Sequence, residues 1–228
     1  MAEGKLDNIN ACVFDAYGTL FDVSAAAERC REELGDKVDA LTSLWRSKQL
    51  EYTWLRSLRG DYVDFWHVTG QSLDYAMASL GLADERLRVR LMELYFVLDA
   101  YPEVPDVLRA IKSSGRRTAI LSNGSPSMLI AAVRRAGIEG LLGEIISVDT
   151  VQIYKPHPST YQLAVDRLRT TAEKICFLSA NGWDVSGAAH FGFRVVWINR
   201  GHAQPEQLPG RPEYEISSLR ELPGLFAA

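Results

Sequence analysis

Ala11-Cys12-Val13-Phe14-Asp15-Ala16-Tyr17-Gly18-Thr19 is the stretch whose reading decides the fold. Four apolar residues run straight into a carboxylate and a glycine turn. A short run without polar alternation reads as a strand buried on both faces, not as one side of an exposed sheet. The runs at 118–121, 144–148, 175–178 and 195–198 repeat the pattern further along the chain. Amphipathic stretches alternate with them, at about 105–114, 127–136, 158–168 and 184–191. Gly115 and Gly137 follow the first two of these, where a left-handed residue ends a helix. Strands alternating with helices predict an α/β architecture, a doubly wound parallel sheet of the Rossmann-like kind.

One stretch breaks the alternation. From Val23 to about Ala100 only helical patterns occur: Leu41, Leu44, Trp45, Tyr52, Leu55 and Leu58 trace one face, and Leu87, Leu91, Leu94 and Leu98 another. A third amphipathic stretch, 62–80, lies between them. So long a helical piece after the first strand is more than a crossover. It predicts a helical subdomain, residues 23–99, inserted into a core made of residues 1–22 and 100–228, with Pro102 and Pro105 marking the return.

The remaining composition narrows the class. The chain has 228 residues, 47% of them hydrophobic and 24% charged, with 25 Lys and Arg against 29 Asp and Glu. That is enough chain to bury a core without disulfides or metal. A net charge of −4 with no basic block argues against nucleic acid as a partner. No apolar run is long enough for a membrane span, and MAEGKLDNIN carries acids and no apolar stretch, so no secretory signal is expected there. Cys12, Cys30 and Cys176 are scattered and odd in number, as expected of reduced thiols in a cytoplasmic enzyme. His67, His157, His190 and His202 share no ligand spacing, and none is expected to bind metal.

In an open α/β sheet, ligands bind beyond the carboxyl ends of the strands. After the first strand comes Asp15-Ala16-Tyr17-Gly18-Thr19, and after the second Ser122-Asn123-Gly124. The third is followed by a loop with Lys155-Pro156-His157-Pro158, and the fourth leads into Ser179-Ala180-Asn181-Gly182-Trp183-Asp184. Each alone reads as a helix cap, a turn or a solvated charge. Together, at one edge of one sheet, they predict an active site.

In order, D-A-Y-G-T, S-N-G, K-P-H-P-S-T-Y and S-A-N-G-W-D resemble the four motifs of the haloacid dehalogenase superfamily. The segment W-R-S-K-Q-L-E-Y-T-W-L-R (45–56), followed by D-F-W (64–66), resembles the cap helices of the L-2-haloacid dehalogenases in particular. The resemblance covers essentially the whole chain. It implies Asp15 as nucleophile, with Thr19, Arg46, Ser122, Lys155, Tyr161, Ser179, Asn181 and Asp184 as the other polar site residues. Ala16 and Ala180 flank the motifs as positions that alter pocket shape.

The chemistry turns on Tyr17. Where the superfamily's phosphatases carry a second Asp to protonate a departing alkoxide, this chain has a tyrosine. Halide is a weak base and leaves without a proton, so a carboxylate nucleophile with no neighbouring acid suits displacement of halide. The resemblance implies hydrolysis of short L-2-haloalkanoic acids to D-2-hydroxy acids through an aspartyl ester on Asp15. Arg46, with Leu50 one turn on and Trp54 two turns on, would receive the halide, helped by Asn123 and Trp183. Ser122 and the amides of the Asp15 turn would hold the substrate carboxylate, with Tyr17, Phe65 and Trp183 walling its alkyl side. Lys155 would keep Asp15 ionised, and Asp184, near Ser179 and Asn181, would handle water. Tyr161 and Thr19 would act as holders. No cofactor is expected; the expected partners are a small 2-halocarboxylate, halide and a second copy of the chain. A magnesium-dependent phosphatase and a non-catalytic organic-acid binder stay open as alternatives.

Overall fold

The computed structural model describes residues 5–227; expectations for the first four residues and for residue 228 lie outside them. Among the described residues six strands form one parallel sheet: β1 Ala11–Phe14, β2 Arg117–Ser122, β3 Glu144–Ser147, β4 Ile175–Ser179, β5 Arg194–Ile198 and β6 Tyr214–Ile216. Their order is β3-β2-β1-β4-β5-β6. The chain winds outward from β1 in one direction, then from β4 in the other, so the topological switch point lies between β1 and β4. Phe14 is level with Ile120 on one side and Leu178 on the other. Asp15, Ser122 and Ser179 therefore emerge at the same sheet edge.

Alternate residues of β1 face opposite layers. Cys12 and Phe14 join the core under α6 (Val104–Ser113), α7 (Pro126–Arg135) and the terminal α10 (Leu222–Leu225). Ala11 and Val13 join the core under α8 (Pro158–Leu168) and α9 (Gly182–Phe191). Both faces are covered, which is why the strands lack polar alternation.

Between β1 and α6 lie only helices: α1 Ala25–Glu28, α2 Arg31–Leu34, α3 Val38–Arg59, α4 Phe65–Ser79 and α5 Glu85–Phe96, with short turns between them. Several of their ends have a local cause. Asp64 caps α4 by accepting from the His67 amide, and Asp84 caps α5 by accepting from Arg86 and Leu87. Gly60, at φ +70°, turns the chain out of α3 in the left-handed region. The two crossings between insert and core run side by side, with Asp22 N–H donating to Asp99 and Tyr101 N–H to Leu20.

Two details differ from the sequence reading. β6 was not anticipated: Tyr-Glu-Ile is three residues at the sheet edge, too short and too polar to show a buried run. The apolar face of α3 also divides. Leu41 and Trp45 are buried, whereas Leu55 and Leu58 are 45% and 85% exposed, because the buried stripe of α3 continues through Gln49 and Thr53 and leaves both leucines off it.

Candidate active site

Asp15 follows β1 into a tight turn, in which the Ala16 carbonyl accepts from the amides of Thr19, Leu20 and Phe21. Gly18, at φ +86°, supplies the left-handed residue that the turn requires. The turn carries the Thr19 hydroxyl back onto Asp15 Oδ2 at 3.1 Å. The same oxygen accepts from the Asn181 amide at 2.8 Å and, more distantly, from Ser179 Oγ at 3.5 Å. Ser179 ends β4 and Asn181 precedes α9, so the switch point brings their donors to Asp15.

Lys155 completes the cluster from the loop after β3. Its ammonium, 1% exposed, donates to Asp15 Oδ1 at 3.2 Å and to Asp184 Oδ2 at 2.9 Å. Burial pulls the Lys155 pKa down, but Asp15 and Asp184 more than offset this and hold it above its ordinary value. Asp184, fully buried on the first turn of α9, is pushed up to about 6 by burial, against the pull of Lys155. Its other oxygen accepts from the Tyr161 hydroxyl at 2.8 Å. Tyr161 is fully buried among Phe177, Phe191 and Phe193. The structure thus places it behind Asp184, as that carboxylate's partner.

The insert approaches from the opposite side. Arg46, on α3, donates through Nη2 to Asn181 Oδ1 at 3.1 Å, while the NH₂ of that amide holds Asp15. One amide therefore joins the guanidinium to the carboxylate. Arg46 Nη1 donates to Gln49 Oε1 at 2.7 Å. Gln49 was missed from sequence, where a glutamine on a helix reads as solvated; its place in the four-residue spacing that runs from Leu41 through Trp45 was the available signal.

Tyr17 is buried between Phe65 and Tyr95, each ring 5.7 Å away. Burial raises its pKa well above the ordinary phenol value, so it stays neutral beside Asp15. Gly124 makes room for it: a Cβ there would meet the Tyr17 ring at 2.7 Å. Asn123 Oδ1 accepts from the Lys155 backbone N–H at 3.0 Å. Because that partner can only donate, the amide orientation is determined, and the Asn123 NH₂ is the end available to a ligand. Ser122 is buried, its hydroxyl accepting from Gly124 N–H. Leu50 is partly buried one turn beyond Arg46, and Ala16 is fully buried. Ala180 lies at the rim and donates its N–H to Thr19 Oγ1. The Trp183 ring stands edge-on to Trp54 at 5.7 Å, and its indole N–H is buried without a partner among the described residues.

Asp15, Thr19, Arg46, Asn123, Lys155, Tyr161, Ser179, Asn181 and Asp184 thus form one bonded network, and the side chains of Ser122, Phe65 and Trp183 do not belong to it. Among the described residues no cluster of three His, Cys, Asp or Glu side chains is arranged to hold a metal.

A family model for haloacid dehalogenase-like hydrolases matches residues 9–192. The chain belongs to that family. It is 46% identical over 222 residues to (S)-2-haloacid dehalogenase 1 of Pseudomonas sp. strain CBS-3, covering 97% of this chain and 98% of the relative. A dehalogenase crystal structure superposes with a TM-score of 0.95 at 44% identity, over 97% of this chain and 99% of the other. The L-2-haloacid dehalogenase of Xanthobacter autotrophicus, solved with chloropropionic acid covalently bound, matches with a TM-score of 0.88 at 37% identity, over 95% and 98% of the two chains.

Proposed function

We propose that the protein hydrolyses short L-2-haloalkanoic acids to D-2-hydroxy acids and halide through an ester on Asp15. The observation that carries this reading is the Arg46–Asn181–Asp15 connection: a cationic guanidinium faces a held carboxylate, and Tyr17, the residue nearest in sequence that could have been an acid, is a neutral phenol. The covalently bound chloropropionic acid of the Xanthobacter relative is in keeping with an ester route.

The two oxygens of Asp15 are unequally held. Oδ2 accepts from Thr19, Asn181 and Ser179, whereas among the described residues Oδ1 accepts from Lys155 alone. Oδ1 therefore keeps a free lone pair and attacks the α-carbon in line, forming the C–O bond as the carbon–halogen bond breaks. The departing halide takes the bonding pair toward Arg46, with the Asn123 NH₂ as a neutral donor, where fixed positive charge is worth most. Ser122 and the amides of the Asp15 turn hold the substrate carboxylate. Phe65 and Trp183 flank the alkyl group.

In the second step water adds to the ester carbonyl carbon. The carbonyl oxygen is now Oδ2, and the three donors already on it stabilise the developing oxyanion. Asp184 takes a proton from the water and returns it to the departing hydroxy acid. The second water proton is released as Asp15 ionises again beside Lys155. Both this route and direct attack of water invert the α-carbon, so stereochemistry does not separate them.

Oxygen origin does. In single turnover in H₂¹⁸O with enzyme in excess, the hydroxy acid should be largely unlabelled, and after many turnovers label should appear in the peptide containing Asp15. Full solvent label in the first product would reject the ester, and label at Asp184 would exchange the two carboxylates' roles. Chloride release from L-2-chloropropionate should also persist in EDTA. Loss of turnover on chelation, or turnover of phosphate esters alone, would favour the phosphatase.

A further inference from the structure

Gln49 is an anomaly in a buried stripe. Leu41, Trp45, Gln49 and Thr53 recur every four residues along α3, and all four are buried. A side-chain amide at 1% exposure is costly unless its groups are paired, and an apolar residue would fill the place without that requirement.

Each end of the amide has a partner, and the partners dictate its orientation. Thr69, on α4, donates its hydroxyl to the Phe65 carbonyl at 2.7 Å, so its oxygen is left to accept. Gln49 Nε2 meets it at 2.8 Å. The NH₂ end must therefore face α4, and Oε1 must face Arg46, which donates to it at 2.7 Å. The Tyr95 hydroxyl lies 3.2 Å from both ends of the amide, and its ring stacks on Tyr17. An unbroken chain of donors and acceptors thus runs from the Phe65 carbonyl through Thr69, Gln49, Arg46 and Asn181 to Asp15.

We infer that Gln49 is a positioning residue: it holds the Arg46 guanidinium in the orientation that receives the halide, and Thr69 holds Gln49. The inference rests on the reading of Arg46 as halide acceptor. Arg46 is only partly buried, on a long flexible stem. Held at Nη1 by Gln49 and at Nη2 by Asn181, its plane is fixed before substrate arrives. That orientation costs nothing further at the moment of reaction.

Gln49→Met keeps the volume and removes both ends of the amide. With L-2-chloropropionate kcat should fall about 10- to 100-fold, the scale of one charge-assisted hydrogen bond, with KM changed far less. The loss should be smaller with L-2-bromopropionate, whose leaving group asks less of Arg46. In an Arg46→Lys background, which lacks the planar fork, Gln49→Met should have little further effect. Thr69→Val should reproduce the halide dependence in milder form. Equal losses for both halides, repeated in full in the Arg46→Lys background, would overturn the inference and leave Gln49 a packing residue.

A readout without turnover separates this from failure of the proposed reaction. In ¹⁵N-arginine-labelled wild type, the Arg46 guanidinium should show slowed rotation of its NH₂ groups, lost in Gln49→Met. Slow rotation in a protein that releases no halide would sink the dehalogenase reading and keep the positioning. Unchanged rotation in Gln49→Met would overturn the positioning whatever the protein's activity.

Discussion

On the sheet side of the cleft, Asp15, Lys155, Ser179 and Asp184 are each less than a tenth exposed, and each is tied to at least one of the others. On the insert side, Arg46 is partly exposed and is held by two amides, one from each side of the cleft. The first group sits at the switch point of the sheet, where register alone brings strand ends together. Its charges are compensated only by one another, so the fold and the site stand or fall together. The guanidinium belongs to a helix that folds on its own apolar contacts and could orient it otherwise. The sheet side should therefore lose stability and activity together, and the insert side activity alone.

Lys155→Met is the largest break on the sheet side. It removes the ammonium that Asp15 and Asp184 share and leaves two buried carboxylates uncompensated. Breaking a buried pair in this way costs about 3–5 kcal/mol of stability, and turnover should fall by at least about 10³-fold. Urea unfolding would measure the first. The deficit should shrink in mild acid, because Asp184 without its lysine binds a proton more readily and sheds the uncompensated charge. A variant as stable as wild type at neutral pH would show that the cluster is not a folding determinant.

Arg46→Lys tests the other side. The charge stays, but one ammonium cannot reach Gln49 and Asn181 with the geometry of a planar fork. Halide release should fall about 10²-fold while thermal unfolding stays within about 0.5 kcal/mol of wild type. Near-wild-type turnover would return Arg46 to an ordinary helix residue. A large loss of stability would erase the contrast between the two sides.

The same contrast explains what the sequence could tell. Strand ends are legible because a buried run stopping at Asp15, Ser122 or Ser179 is a local pattern, and the rule for open sheets then supplies the convergence. Which donor meets which oxygen is not local. That Asn123 turns its carbonyl to the Lys155 amide, or that Asn181 rather than Asn123 meets Arg46, depends on loops far apart in the chain. Gln49 was illegible for a different reason. Burial of a polar residue depends on what packs over it, and that cover, Thr69 and Tyr95, comes from two other helices. β6 escaped because three edge residues carry too little pattern. Leu55 and Leu58 misled in the opposite sense, since apolar residues at helical spacing need not lie on the stripe that packs, which here runs through Leu41, Trp45, Gln49 and Thr53.

Tyr161→Phe is the smallest perturbation and the sharpest on mechanism. Its ring already packs against Phe177, Phe191 and Phe193, so phenylalanine fits, and what is lost is the bond to Asp184 Oδ1 with a longer one to the Asp184 carbonyl. Burial raises the Asp184 carboxyl to about 6, and the Tyr161 hydroxyl is one of the groups that restrain it. A hydrogen bond to a charged group is worth about one pKa unit or somewhat more, so the variant's carboxyl should rise by about one unit. If Asp184 must be ionised to take a proton from water, the acid limb of kcat should move up by that amount while the plateau changes little. The folded-state value lies above the unfolded one, so the stability linked to this proton is full at low pH and is lost as pH rises through about 6. In Tyr161→Phe that loss continues to higher pH, so the variant should be more destabilised relative to wild type at alkaline pH than in acid. A pH–rate profile settles the first point and unfolding at the two extremes the second. An acid limb that stays in place while the alkaline stability falls would show that Asp184 titrates as argued but does not limit turnover, and the water-activating role would pass to another group.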